Sequence, residues 1–158
     1  MNSTNSVAGT VTLQVVPGQT LTVTSSSQTQ IEDKLNKEEP FGISGIAAGY
    51  FLNIEGFVDG AGNFIATQIE REEPDDFVLR GPVDVPPTAG STVAGILSIL
   101  GVEIATGGAT DFEDASDEDI DSTDFFLAVR DGDLVEYTDY NEEGSPADGV
   151  ADEVEFED

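Results

Sequence analysis

The chain has 158 residues, of which 38% are hydrophobic, and carries 33 acidic against 5 basic residues, a formal net charge of -28. Such an anionic surface repels phosphate backbones and excludes nucleic acid as a partner. With neither Cys nor His, the chain lacks the residues of a thiolate–imidazole nucleophile and of the usual structural zinc site. Only oxygen ligands remain, and these suit calcium or magnesium.

The chain opens with six small or polar residues after which strand patterns begin. Residues 1–6 lack the charged and apolar regions of a signal peptide and are predicted to form a flexible leader. Residues 20–24 alternate polar and apolar side chains, as a β-strand does. In Thr29-Gln30-Ile31-Glu32-Asp33, Thr29 as N-cap with Glu32 three residues later fits a capping box, which predicts a short helix over 31–39, with a single turn as the alternative.

The middle of the chain predicts a hairpin and then a boundary. Asp59-Gly60-Ala61-Gly62-Asn63 lies between two strand patterns and is rich in turn residues, so a hairpin loop is expected there. In the strand that follows, alternation places Ile65 and Ile69 on one face. The charged residues 72–76 contain a Pro and no apolar anchor, and we predict a linker over 74–76.

The second half repeats landmarks of the first half in the same order. Residues 96–100 are expected to be the counterpart of 20–24, with a turn or bulge at Gly101. Thr110-Asp111-Phe112-Glu113-Asp114 repeats the Thr-x-x-Glu-Asp motif and predicts a second short helix, or again a single turn, over 114–121. Ala151-Asp152-Glu153-Val154-Glu155 repeats residues 66–70, and alternation places Val150, Val154 and Phe156 on one face.

Ordered landmarks that recur once predict a duplicated unit. The predicted fold class is therefore all-β, with two tandem small β-barrels and short helical turns. The predicted domains are the leader 1–6, a first repeat 7–73, the linker 74–76 and an acidic second repeat 77–158 with insertions. No apolar run is long enough for a transmembrane helix, so no membrane span is expected.

The duplicated pattern resembles the family catalogued as domain of unknown function 5666. The residues that carry the likeness are the Gly-x-Val start, the Thr-x-Ile/Phe-Glu-Asp motif and the Ala-x-x-Ile/Val-Glu strand, over residues 7–73 and 76–158. The resemblance implies OB-like barrel modules of exported bacterial proteins, in the periplasm, on the cell surface or secreted. It implies no catalytic residues.

Two acidic stretches are candidate cation sites. Asp117, Asp119 and Asp121 place carboxylates at alternate positions, which suits a hard cation, and the alternative is an acidic surface loop. Asp139, Asn141 and Glu143 occupy ligand positions one, three and five of a calcium loop. Because position twelve is Val150 rather than Glu, a lengthened hairpin is the alternative, and calcium remains a hypothesis with no other cofactor expected.

The chain shows no phosphate-binding loop and no nucleophile motif, so it is predicted not to be an enzyme. We expect a structural or interaction module of an exported protein, with a protein or glycan as partner. One alternative is a glycan- or peptide-binding face, and another is homo-assembly through edge strands. The aromatic side chains fill the cores or line such a face: Tyr50, Phe51, Phe57, Phe64, Phe125, Phe126, Tyr137 and Tyr140.

Overall fold

The computed structural model describes residues 3–5, 9–16, 18–85, 95–142 and 147–158. These residues are mostly β-strand, which confirms the all-β class. The chain divides into two compact units: unit 1 is Met1–Gln14 with Thr20–Asp75, and unit 2 is Val15–Gln19 with Asp76–Asp158.

Unit 1 is built on a six-stranded sheet. Its strands are β1 (Ser3–Asn5), β2 (Thr10–Val16), β3 (Gln19–Thr24), β4 (Gln30–Asp33), β5 (Phe51–Val58) and β6 (Phe64–Glu72), with a 3₁₀ turn at Ile43–Gly45. The order is β1-β2-β3-β6-β4, and β5 pairs antiparallel with β6. Strands β3 and β4 both run parallel to β6, one after the other, so they form two halves of one interrupted strand.

Unit 2 closes into a five-stranded barrel. Its elements are β7 (Phe77–Val85), β8 (Ile96–Ile99), β9 (Val102–Glu113), β10 (Asp119–Ile120), α1 (Ser122–Ala128), β11 (Leu134–Asp139) and β12 (Val150–Phe156). The ring runs β7-β8-β9-β12-β11 and returns to β7. Every pairing is antiparallel except that of β9 with β12, and β10 forms a hairpin with the end of β9.

Buried apolar side chains form a core in each unit. The core of unit 1 is small and centres on Val11, Val23, Ile46, Ala66 and Ile69. In unit 2, α1 carries two buried rings to the barrel, where Phe125 and Phe126 lie 5.0 and 5.7 Å from the ring of Phe112, centroid to centroid. Phe156 lies 4.6 Å from Phe125. Gly95 is required here, since a Cβ at that position would lie 2.1 Å from the Phe126 ring.

The two predicted helices do not form, and each region holds a single turn instead, as the alternative predicted. Residues 30–33 form β4 and a turn follows, while residues 114–121 form a turn and then β10. The helix of unit 2 begins later, at Ser122, with Asp121 as its N-cap. The capping-box pattern misled because a Thr with Glu three residues on also suits a loop that leads into a strand, where sheet pairing overrides the local preference. Phe125 and Phe126 are both buried by α1.

The predicted faces of the last strand of each unit are wrong in part. Ala151 and Val154 are buried, whereas Val150 is 38% exposed, because a β-bulge at Asp152 shifts the register. In β6, Ala66 and Ile69 are buried, and the pairing with β5 shifts at the corresponding place. A bulge adds one residue on one strand, so the inward positions change between odd and even numbers across it. Strict alternation cannot predict this change.

The structure contains the predicted turns at residues 59–63 and at Gly101. The hairpin loop at 59–63 is confirmed, and Leu100 and Gly101, with φ of 53° and 76°, form the two-residue turn between β8 and β9.

The predicted equivalence of residues 20–24 with 96–100 is wrong. Strand β3 pairs parallel with the last strand of its sheet, and in unit 2 that partner role belongs to the start of β9. Successive strands of a hairpin share one alternation, so pattern alone does not separate them. Within the predicted leader, Ser3–Asn5 pair with β2, and Met1, Asn2 and Ser6 lie outside the described residues.

Candidate functional site

The repeated Thr occupies the same hydrogen-bonded position in both units. Thr29 Oγ1 donates to the Ala66 carbonyl at 2.7 Å and accepts the Ser26 N–H at 2.8 Å. Thr110 Oγ1 donates to the Ala151 carbonyl at 2.6 Å and accepts the Gly107 N–H at 2.8 Å. Each Thr therefore ties the loop before it to the last strand of its unit.

The repeated Asp ends a strand and holds the turn that follows. Asp33 Oδ1 accepts the Asn36 N–H at 2.8 Å, and Asp114 Oδ1 accepts the Ser116 N–H at 2.8 Å. In unit 1, Asp33 is also buried and its Oδ2 lies 3.1 Å from Arg71. The Thr and the Asp of the Thr-x-x-Glu-Asp motif thus hold the loops on either side of the strand. The side chain of the Glu takes no part in these loop contacts.

The second predicted cation loop uses its first ligand internally. Asp139 is buried, and its carboxylate accepts the Tyr137 hydroxyl at 3.0 Å and the Gly149 N–H at 2.6 Å. Burial, followed by the bond to Asp139, raises the pKa of Tyr137 far above its ordinary value. Asn141 is exposed and donates its N–H to Asp76 Oδ1 at 2.8 Å, and Glu143 lies outside the described residues. Asp139 therefore fixes the base of this loop.

The structure does not bring the other three predicted ligands together. Asp121 caps α1 by accepting the Asp124 N–H at 2.9 Å, and Asp119 lies in β10 opposite Glu113. Asp117 sits in the turn after Asp114 with a φ of 57°. Its carboxylate is the one that joins a group, since one oxygen each of Asp117, Glu113 and Glu155 lie within 4.8 Å of one another.

Glu113, Glu155 and Glu136 form a carboxylate row across the outer face of the barrel. Glu155 of β12 lies opposite Glu113 of β9 on one side and opposite Glu136 of β11 on the other. These side chains point outward because their neighbours Phe112, Val154 and Val135 point inward and are buried. Like charges directly opposite one another destabilise a sheet, so this arrangement opposes folding.

The pKa values of the three carboxyl groups in the row are all shifted upward. Burial raises the pKa of Glu155 to about 7, with further contributions from a hydrogen bond with Glu157 and from the charges of Glu136 and Glu157. Burial also raises the pKa of Glu113 and of Glu136, and the neighbouring carboxylates add to both shifts. Arg80 lies opposite Glu136, but its guanidinium pairs with Glu157 at 2.7 Å.

The same row in unit 1 is neutralised. Glu70 of β6 lies opposite Glu32 and Asn53, as Glu155 lies opposite Glu113 and Glu136. The Lys34 ammonium forms a salt bridge with Glu70, and this hydrogen bond, with a second from Gln68, lowers the pKa of Glu70 despite its burial. Counting from the shared Thr, the position of Lys34 is taken by Ala115 in unit 2. Unit 2 keeps the carboxylate and lacks the cation.

Sequence reasoning missed this row because no local motif marks it. Its members come from strands joined only by register, and the acidic runs drew attention to loops instead. The one available signal was the repeat itself. Aligning Thr29 with Thr110 places Lys34 over Ala115, which is a charge difference visible in the sequence.

The aromatic side chains of unit 2 contribute to its core. Phe112, Phe125, Phe126 and Tyr137 are buried, and Phe156 packs on Phe125. Tyr140 is exposed and donates to Glu153 at 2.8 Å, a bond that raises the pKa of Tyr140 to about 12. In unit 1 the Arg71 guanidinium lies 3.6 Å from the Tyr50 ring centroid, and Phe57 is exposed.

Together the closed barrel and the outward row define unit 2 as an all-β domain with an anionic sheet face. Residues 3–70 match the family described as a domain of unknown function, DUF5666. The matched segment lies in the part of the chain that holds the unit 1 sheet. Comparisons with curated proteins and with solved structures gave no match. Over the described ranges, no helix has the length and apolar character needed to cross a membrane.

Proposed function

We propose that this chain is a non-catalytic interaction module of an exported bacterial protein, and that the carboxylate row of unit 2 binds a positively charged partner. The observation that carries the proposal is the contrast between Glu70 and Glu155. The two occupy the same register position, yet one has a bound ammonium group and a lowered pKa, whereas the other has neither. A partner that supplies a cation relieves the repulsion in the row.

Unit 1 indicates which cation fits. Lys34 reaches Glu70 and lies 3.6 Å from Glu72, so the carboxylates at this face accept a single ammonium group between strands. We therefore assign the partner as a protein segment with exposed Lys side chains. The surplus of acidic residues favours the same kind of partner by long-range attraction.

We further infer that the units are two copies of one OB-like module. The equivalent Thr bonds, the bulge at Thr67 and at Asp152, and the parallel pairing with the last strand support the duplication. The barrel order of unit 2, with its third and fifth strands parallel, supports OB-like connectivity, and this fold binds ligands without needing catalytic groups. Export is supported by the resemblance to an exported family.

The proposal is tested by introducing a Lys side chain into unit 2 beside the carboxylate row. Ala115→Lys places an ammonium group where Lys34 stands in unit 1, and a deca-lysine peptide serves as the probe in calorimetry at low salt. We expect the variant to bind the peptide about fivefold more weakly, from roughly 1 kcal/mol for one charge pair. Gln28→Lys, which makes the same change in net charge at an exposed position of unit 1, is the matched control.

Equal weakening by both variants would show that net charge alone attracts the peptide, and the proposed face would then be wrong. Calcium chloride at matched ionic strength is titrated in parallel. If calcium binds and Ala115→Lys abolishes that binding while leaving peptide affinity unchanged, the row is a divalent-cation site and the assignment of an ammonium partner fails.

A further inference from the structure

We propose that unit 2 carries an ionic-strength switch: repulsion within the carboxylate row weakens the barrel in dilute solution and salt ions relieve it, whereas unit 1 is stable at low and high salt alike. The inference goes beyond the proposed function and does not depend on it, because small ions screen the row whether or not a protein partner binds there. It assigns unit 2 a salt-rich working medium.

The charge of the chain is concentrated in unit 2. Residues 76–158 hold 23 acidic and 2 basic residues, a net charge of -21, and the other part of the unit, Val15–Gln19, is uncharged. Unit 1 holds the remaining 10 acidic and 3 basic residues, a net charge of -7, and its first charged residue is Glu32. Because self-repulsion grows with the square of the charge, it acts mainly on unit 2.

Both bases of unit 2 are held by groups outside the row. Arg80 pairs with Glu157 at 2.7 Å. The Nη1 atom of Arg130 donates to the carbonyls of Leu127 and Val129, at 2.6 and 2.8 Å, at the end of α1. The row therefore takes most of its counter-charge from the medium or from a partner.

Unit 1 contains its own counter-charge at the equivalent place. Lys34 forms a salt bridge with Glu70 and lies 3.6 Å from Glu72. Arg71 pairs with the buried Asp33 at 3.1 Å. Added salt screens attraction at these pairs rather than repulsion, so we expect it to leave the stability of unit 1 nearly unchanged.

The spacing of the row sets the salt range of the switch. Its side chains are half-buried, and one oxygen each of Glu113, Asp117 and Glu155 lie within 4.8 Å of one another. The same holds for Glu136, Glu155 and Glu157. The Debye length is about 30 Å at about 0.01 M salt, so charges across the unit repel one another. At about 1 M it is about 3 Å, which is below the strand spacing of about 4.8 Å, so the repulsion is largely lost.

The test follows backbone hydrogen exchange in the full chain at two fully buried residues, Val154 in unit 2 and Ile69 in unit 1. On going from about 0.01 M to about 1 M NaCl, exchange at Val154 is expected to slow at least about tenfold. Exchange at Ile69 is expected to change less than about threefold. Because both probes lie in one molecule, Ile69 controls for the effects of salt on intrinsic exchange and on apolar burial.

A double variant tests the role of the row. Glu113→Gln with Glu136→Gln removes two of its charges, so exchange at Val154 is expected to slow at least about threefold at low salt and to stay unchanged at high salt. Glu118→Gln with Asp131→Asn makes the same change in net charge at exposed turn positions of unit 2. This control is expected to give less than about half of the slowing, because its charges lie outside the row.

Three results would overturn the inference. An unchanged rate at Val154, or equal slowing at Val154 and Ile69, means that salt does not act on unit 2 in particular. Equal slowing by the two double variants means that total charge, and not the row, sets the response. If millimolar calcium chloride slows exchange at Val154 as far as molar NaCl does, the row holds a bound divalent ion and screening is not the mechanism.

Discussion

At the scale of single residues, Thr29 and Thr110 each join two backbone groups of opposite kind. Each hydroxyl accepts an N–H from its loop and donates to the carbonyl of an Ala in the last strand. Only a group that is both donor and acceptor can do this, and Thr adds a methyl group that suits a strand. The chemistry of the hydroxyl therefore explains why the motif begins with Thr in both units.

Replacing either Thr by Val should destabilise the unit that contains it by about 1–3 kcal/mol, because a partly buried carbonyl loses its donor while the side-chain shape is kept. Thr→Ser at the same position should recover most of the loss. Urea denaturation of the four variants measures both effects. If Thr29→Val and Thr110→Val unfold at the urea midpoint of the parent chain, these bonds are not what holds the loops.

Another residue-scale contrast is that between Lys34 and Ala115. The hydrogen bond from Lys34 is the largest cause of the lowered pKa of Glu70, whereas burial and neighbouring carboxylates raise the pKa of Glu155, where Ala115 stands in the position of Lys34. The sheet geometry around the two carboxylates is the same in register. Whether the carboxylate on this sheet face is neutralised thus depends on which side chains lie beside it, since the strand pairing is the same in both units.

At the scale of elements, the bulge in the last strand decides which side chains reach the core. In β12 the inward residues are Ala151 and Val154, three apart, and in β6 they are Ala66 and Ile69. A continuous strand would have buried residues two or four apart. The bulge therefore accounts for the spacing of the repeated Ala-x-x-Ile/Val motif.

Ile69→Asp and Val154→Asp should each destabilise their unit by several kcal/mol, since both side chains are fully buried and the new carboxylate would have no partner. Val150→Asp, on the same strand as Val154 but exposed, should stay within about 0.5 kcal/mol of the parent chain. Thermal unfolding distinguishes the three variants. Equal losses at Val150 and Val154 would mean that β12 has no bulge.

The carboxylate row makes stability depend on pH in a defined direction. The pKa of Glu155 is about 7 in the folded chain against an ordinary 4.5, so the folded state binds this proton more tightly than the unfolded state does. The associated stability is fully present below pH 4.5 and is lost as the pH rises through 7. It amounts to about 1–2 kcal/mol, because the side chain is partly exposed and solvent screens the charges.

The melting temperature should therefore fall between pH 5 and pH 7.5 by about 2–4 °C for each kcal/mol lost. In Glu155→Gln, which keeps a neutral side chain at all pH values, this fall should be smaller. Glu38→Gln, at an exposed position of unit 1, serves as the control and should keep the slope of the parent chain. A slope that is unchanged in Glu155→Gln would assign the pH dependence to other groups.

At the scale of the whole molecule, the sequence was sufficient for the class of the fold and for several turns. The all-β class followed from alternation, and the loop at 59–63 followed from its Asp, Gly and Asn content. The helix assignments failed because local capping chemistry was given more weight than strand pairing, which depends on distant residues. Residues 114–121 illustrate this, since β10 exists only through its pairing with β9.

The candidate site was less predictable than the fold. Among the predicted ligands that the structure describes, Asp117 was the one that reaches the carboxylate row, and Asp139 proved to be a buried structural group. Glu113 and Glu155 lie 42 positions apart in the chain and meet only through the parallel register of β9 with β12. Register is set by the core and by bulges, so it cannot be read from the local sequence.

The connectivity of unit 2 has a mechanical consequence. Strands β7 and β12 flank β11 and are both antiparallel to it, so the start of β7 at Phe77 and the end of β12 at Phe156 lie at opposite ends of β11. A tensile force applied at these two points acts along the strands and loads the rungs of both ladders together, in shear. They cannot be opened one after another as in unzipping. A force applied through these two ends of the barrel would therefore meet the combined resistance of both ladders.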